Sequence, residues 1–256
     1  MNRTATKPEL EICAGDLRSI RAACLGGADR VEICCALPLG GLTPPSSSLT
    51  LSEHYADRIR RHVLVRPRPG DFLYTEEEMQ CMESDIADPT LARADGFVIG
   101  ILRADGSVDT ERTVRLMRRA SAIGAKSFTF HRAFDMTADP SAALEDIIAL
   151  GFDRVLTSGC APTAEKGIDM LRRLNRQAAG RITIMAGGGI NAGNLRRIAS
   201  ETGITSFHAS CSVRIPSGMT FRNDATRMGA GSDDEYSSTS SDRCLIESLV
   251  DAVRSL

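Results

Sequence analysis

The chain has no run of basic residues. Its net charge is -2 over 256 residues, and gripping a phosphate backbone requires a basic surface, so nucleic acid is not expected as a partner. It also lacks any stretch approaching about 18 uninterrupted apolar residues. The first nine residues, from Met1 to Glu9, hold no apolar leader segment. No membrane association is expected, and a cytoplasmic location is. None of the eight cysteines forms a C-x-x-C pair, which argues against a zinc ribbon, and in that compartment they read as reduced thiols rather than a disulfide framework. A Gly-x-Ser-x-Gly elbow is absent, so a hydrolase triad of that type has no support.

What the chain does contain is a rhythm. Ser127-Phe-Thr-Phe-His131 alternates with period two, placing Phe128 and Phe130 on one side and Thr129 and His131 on the other. Asp139 then caps a helix that opens on Pro140, carries Leu144, Ile147 and Ile148 at helical spacing, and stops at Gly151. The same order of strand, polar tip and helix recurs along the chain. Strands are expected at 9–13, 30–34, 63–68, 96–101, 127–131, 153–158, 181–185 and 206–210, with helices between them, including one over 51–61. Eight such units favour a single α/β domain over residues 1–256, a closed (β/α)8 barrel of the TIM type with its core at 9–212. Residues 213–242 lose periodicity and form a long loop of the kind that serves as a lid or an interaction segment, or that stays disordered. A helix over 243–255 returns to the barrel. A short echo, Gly27-Ala-Asp-Arg-Val31 and Gly151-Phe-Asp-Arg-Val155, opens strands two and six.

In such barrels the carboxyl ends of the strands form the active face. Projecting the polar tips there gathers Glu11, Cys13, Glu32, Cys34, Arg66, Arg68, His131 and His208. Buried polar groups need partners, so this collection is either a self-satisfied ring closing the barrel or a ligand site. In the second case Arg66 and Arg68 hold a small anionic ligand, and the Gly187-Gly188-Gly189 turn offers backbone N–H groups to it. Glu11, Glu32, His131 and His208 are then the candidate catalytic acids and bases. The same three glycines equally suit a tight turn requiring positive φ. The only lysines are Lys7, Lys126 and Lys166, and none is placed for Schiff-base chemistry at the mouth. The ligand would be a small anionic or polyhydroxylated metabolite.

Cys13 and Cys34 end neighbouring strands after identical Glu-x-Cys patterns. Adjacent strands lie about 4.8 Å apart, so their sulfurs can approach, and a soft thiolate pair selects Cu(I) or Zn. Unpaired cysteine is also a common space-filler in cores. The residues alone leave both readings open.

Several motifs in order resemble one known family. They are Leu10-Glu-Ile-Cys13, Gly27-Ala-Asp-Arg-Val-Glu-Ile-Cys34, Gly40-Gly-Leu-Thr-Pro44, Arg66-Pro-Arg68, Gly70-Asp-Phe-Leu-Tyr74, Thr129-Phe-His-Arg-Ala-Phe-Asp-Met136, Arg154-Val-Leu-Thr-Ser-Gly159, Met185-Ala-Gly-Gly-Gly189 and Phe207-His-Ala-Ser210. Together they resemble the CutC family of copper-homeostasis proteins. That resemblance implies a cytosolic barrel, usually a homo-oligomer, associated with copper tolerance and Cu(I) binding, with Cys13 and Cys34 as the metal candidates. Pro69, where the family more often has glycine, and Ala186, where many relatives have proline, depart from the pattern.

Overall fold

The computed structural model describes residues 7–223, 225–226, 228 and 234–256. In chain order it contains β1 (Glu9–Ala14), α1 (Leu17–Leu25), β2 (Arg30–Ile33), α2 (Ser46–Leu51), β3 (Arg60–Leu64), α3 (Glu76–Ala87), β4 (Gly96–Ile99), α4 (Thr110–Ala122) and β5 (Phe128–Phe130). There follow α5 (Pro140–Leu150), β6 (Arg154–Thr157), α6 (Ile168–Ala178), β7 (Thr183–Ala186), α7 (Leu195–Thr202), β8 (Ser206–Ala209), β9 (Ser212–Pro216), β10 (Ser237–Ser241) and α8 (Arg243–Arg254). Strands β1 to β8 are parallel, each paired with the next, and β8 returns to pair with β1, which closes the barrel.

Local chemistry sets the boundaries. Asp16, Asp109, Asp139 and Asp242 each accept a backbone N–H from the first turn of the helix they precede, satisfying donors that a helix start leaves unpaired. Thr75 and Glu78 form a reciprocal capping box on α3. A second device recurs at the amino ends of the strands. Asp29, Asp95 and Asp153, each preceding an even-numbered strand, accept the N–H of Leu10, Arg61 and Phe128 on the strand before. The Asp-Arg echo at strands two and six is thus part of a wider pattern that pins strand ends together.

Two expectations are corrected. Residues 51–61 do not form one helix: α2 ends at Leu51, a 3-10 turn spans Glu53–Tyr55, and Arg60 and Arg61 already belong to β3. That strand stops at Leu64, so Arg66 and Arg68 lie beyond it, where alternation no longer governs direction. The long connection after β8 begins and ends in β9 and β10, which pair antiparallel. Ser241 anchors this hairpin by donating its N–H to Ser19 of α1 and its hydroxyl to the Ser210 carbonyl.

Apolar burial is segregated to the outside of the barrel wall. Leu10, Ile12, Val31, Ile33, Val63, Phe97, Ile99, Phe130 and Phe207 are buried with the helix faces in one continuous cluster. The alternate residues point inward, and this lumen is charged. Arg30, fully buried, donates to Glu11 through Nε and to both oxygens of Glu9 at 3.2 and 3.3 Å. Above that layer a small apolar set of Cys34, Leu64 and Val98, with Leu37 against it, plugs one side.

Candidate functional site at the barrel mouth

Glu11 lies deeper than its sequence position suggested. Register pairs it with Arg30 on β2 and with His208 on β8, and both side chains bind it: Arg30 through Nε, His208 Nδ1 at 2.7 Å. Burial alone would raise the Glu11 carboxyl, but the Arg30 charge and the His208 bond outweigh it and hold the group ionised. Burial likewise opposes a charged His208, yet the adjacent Cys13 sulfur and Glu11 hold the imidazole well above its ordinary value. Glu32 is the third member of this cluster, with ligand atoms of Glu11, Glu32 and His208 all within 4.8 Å of one another. Its carboxyl is pushed up to about 7, first by burial and then by the Glu11 charge, against the pull of His208 and Arg30. One of its oxygens, Oε2, has no partner among the described residues. As a cation site the trio is weak, because Arg30 already neutralises Glu11.

His131 begins the turn after β5. Its Nδ1 accepts the N–H of Ala133 at 3.1 Å, so the ring proton of the neutral imidazole sits on Nε2. That Nε2 is buried and, among the described residues, has no partner. Burial, aided by the Arg66 guanidinium, holds the ring down to about 3, and it stays neutral. Gly100 makes room for it, since a Cβ there would stand 2.5 Å from His131 Cε1.

The two arginines expected to act as a pair do not. Arg66 faces the mouth with its terminal nitrogens committed to the carbonyls of Leu39, Gly41 and Gly70 at 2.8–3.0 Å, and its guanidinium lies 5.0 Å from the Phe72 ring centroid. Arg68 is not brought to the site: it binds Glu78 at 2.6 Å and Asp71 at 3.0 Å and lies over Tyr74. Gly187 donates its N–H to the Thr157 carbonyl. Gly188 and Gly189 have φ of 95° and 80°, values a side-chain-bearing residue rarely adopts, so the tight-turn requirement is real there.

The cysteines are both inward and both buried. Register places Cys13 opposite Glu32, not opposite Cys34, which stands two residues further along β2's path. Cys13 Sγ contacts the Ala209 carbonyl and Cys34 Sγ the Ala14 carbonyl, each at 3.6 Å. Burial and the Glu32 charge push the Cys34 thiol up.

A cavity of about 160 Å³ lies at the centre of these groups, lined by Glu32, Arg66, Phe72, His131, Arg132 and His208 among others. Residues 8–213 match the model of the CutC family. A CutC family protein of Porphyromonas gingivalis is 45% identical over 249 residues, covering 97% of this chain and 99% of its own. The chain belongs to the CutC family. A Vibrio cholerae CutC is 42% identical over 250 residues, 98% of each chain. Among solved structures, a Streptococcus agalactiae CutC named for copper homeostasis superposes with a TM-score of 0.73 at 32% identity, covering 79% of this chain and 98% of its own.

In this CutC barrel, strand parity missed three residues that shape the mouth. Arg132 donates to Asp135 at 2.7 Å and to Ser158 Oγ at 2.9 Å. Asp135 also accepts from Thr157 Oγ1 and from the N–H groups of Ser158 and Cys160, tying the turn after β5 to the end of β6. Phe72 packs on the His131 ring at 5.0 Å. Arg132 and Asp135 sit in the Thr129–Met136 motif and Phe72 in the Gly70–Tyr74 motif, so motif membership was the available signal.

Proposed function

We propose that this CutC protein works in copper homeostasis in the cytoplasm, handling Cu(I) through Cys13 and Cys34 at the barrel mouth. One observation carries the reading: both motif cysteines project inward from neighbouring strands, each sulfur reaches a carbonyl at 3.6 Å, and Cys13 also lies against the His208 imidazole. A thiol that only donates to a carbonyl keeps its sulfur lone pairs for a metal, as at Cys34. Family membership supports it, as does the copper-homeostasis name of the Streptococcus agalactiae relative.

The donor set fits the ion by type. Sulfur is soft and selects Cu(I), whereas the nearby Glu11, Glu32 and His208 are harder ligands and one of them is already paired with Arg30. With two sulfurs and no C-x-x-C pair, low-coordinate Cu(I) is favoured over a four-coordinate zinc site. The cysteines must lose their protons to bind, so the metal competes with the burial that keeps Cys34 a thiol.

The test is a competition titration against a Cu(I) chelator under reducing conditions. Wild type is expected to take up the ion, and Cys13→Ser and Cys34→Ser each to weaken uptake by more than about tenfold. Retention of wild-type stoichiometry and affinity by both variants sinks the proposal.

A further inference from the structure

Arg66 is 6% exposed and, among the described residues, pairs with no carboxylate: its terminal nitrogens meet only carbonyl oxygens, and its Nε meets nothing. A buried cation without a counter-charge is costly, and the cost falls when an anion arrives. Beside it, His131 Nε2–H is a buried donor without an acceptor. Facing both across the same cavity, Glu32 Oε2 is a buried acceptor without a donor. Three unsatisfied groups from β2, the segment after β3 and the end of β5 thus converge on one half-open pocket. Buried polar atoms are rarely left so in folded proteins unless something binds them.

The space sets the size. At about 160 Å³ it is comparable to the cavity of about 150 Å³ that holds benzene, so about six non-hydrogen atoms of a ligand fit within it. The donors set the chemistry at one end and the acceptor sets it at the other. We infer that the mouth cavity binds a compact hydroxycarboxylate, its carboxylate taking the N–H groups of Arg66 and His131 and its hydroxyl donating to Glu32. Phe72 closes the apolar side over the carbon chain, and Arg132, tethered to Asp135 and Ser158, stands at the rim. The site shares the mouth with the cysteines but does not use their sulfurs. It is also distinct from the paired-arginine clamp expected from sequence, since Arg68 takes no part.

The test uses the full chain, reduced and free of copper, titrated calorimetrically with four probes: L-lactate, D-glycerate, propionate, which lacks the hydroxyl, and dihydroxyacetone, which lacks the carboxylate. Inorganic phosphate is a fifth arm. Lactate or glycerate is expected to bind at least about tenfold more tightly than propionate or dihydroxyacetone. His131→Asn keeps an oxygen where Nδ1 accepts the Ala133 N–H and removes the Nε2 donor; it is expected to weaken hydroxycarboxylate binding by about tenfold with an unchanged circular dichroism spectrum. The proposal is overturned if neither hydroxy acid binds wild type at about 10 mM, if propionate binds equally well, if phosphate alone binds, or if His131→Asn leaves affinity intact. A chain in which Cys13→Ser and Cys34→Ser abolish Cu(I) uptake but hydroxy-acid binding persists separates the two sites.

Discussion

Arg30 is the residue on which the barrel interior depends. It neutralises Glu11 and Glu9 from a fully buried position and also touches Met185 Sδ at 3.4 Å. Removing one partner of a buried ion pair strands the other, so Arg30→Met is expected to destabilise the fold by about 3–5 kcal/mol. Urea unfolding checks this, and a loss below about 1 kcal/mol contradicts the role assigned to the pair. The sequence placed Arg30 at the start of a strand but could not show that its guanidinium turns along the lumen to meet Glu11. For the same reason Glu11 read as a mouth residue. Arg66 and Arg68 make the converse point: two residues apart, they part company because β3 ends at Leu64, and beyond a strand end parity ceases to specify direction.

At the scale of the element, β4 decides what the lumen can hold. Gly96, its first residue, and Gly100, just past its end, face imidazoles: Cβ atoms there would approach His62 Cε1 to 2.9 Å and His131 Cε1 to 2.5 Å. Spacing placed a strand at 96–101 but gave no reason for its glycines. Gly100→Ala is expected to cost about 1–3 kcal/mol through overpacking. Adding His131→Ala, which removes both clashing ring atoms, Cε1 at 2.5 Å and Nδ1 at 2.6 Å, should return part of that loss. Denaturant melts of the two single variants and the double variant give the coupling, and strict additivity would refute the contact as the cause. The aspartates at 29, 95 and 153 are the other element-level device, and only the first and last of them lay in the echo visible in sequence.

For the whole molecule, closure depends on β8 returning to β1, and the hairpin of β9 and β10 is then fastened to α1 beside that seam. The connection it carries leaves Met219, Phe221 and Met228 exposed at 59%, 72% and 81%. Apolar side chains so presented suit a covering partner, in keeping with the self-association that the family resemblance implies. Multi-angle light scattering at micromolar concentration is expected to return a multiple of the monomer mass. Replacing Phe221 and Met219 by serine should shift the population toward monomer. A wild-type protein that stays monomeric contradicts this expectation.

Period-two and helical spacing, together with caps such as Asp139 and Gly151, were enough for the sequence alone to determine the eight strands, most of the helices and the barrel they build, because those signals are local. The same spacing assigned Cys13, Glu32, Cys34, His131 and His208 to the inner face. Tertiary structure alone decided which of these groups meet. Register set Cys13 against Glu32 rather than Cys34, the shared lumen joined Glu11 to Arg30 and His208, and the turns after the strands brought in Phe72 and Arg132 while taking Arg68 away. Those outcomes depend on the offset between strands and on loop geometry, and neither leaves a periodic trace in the chain.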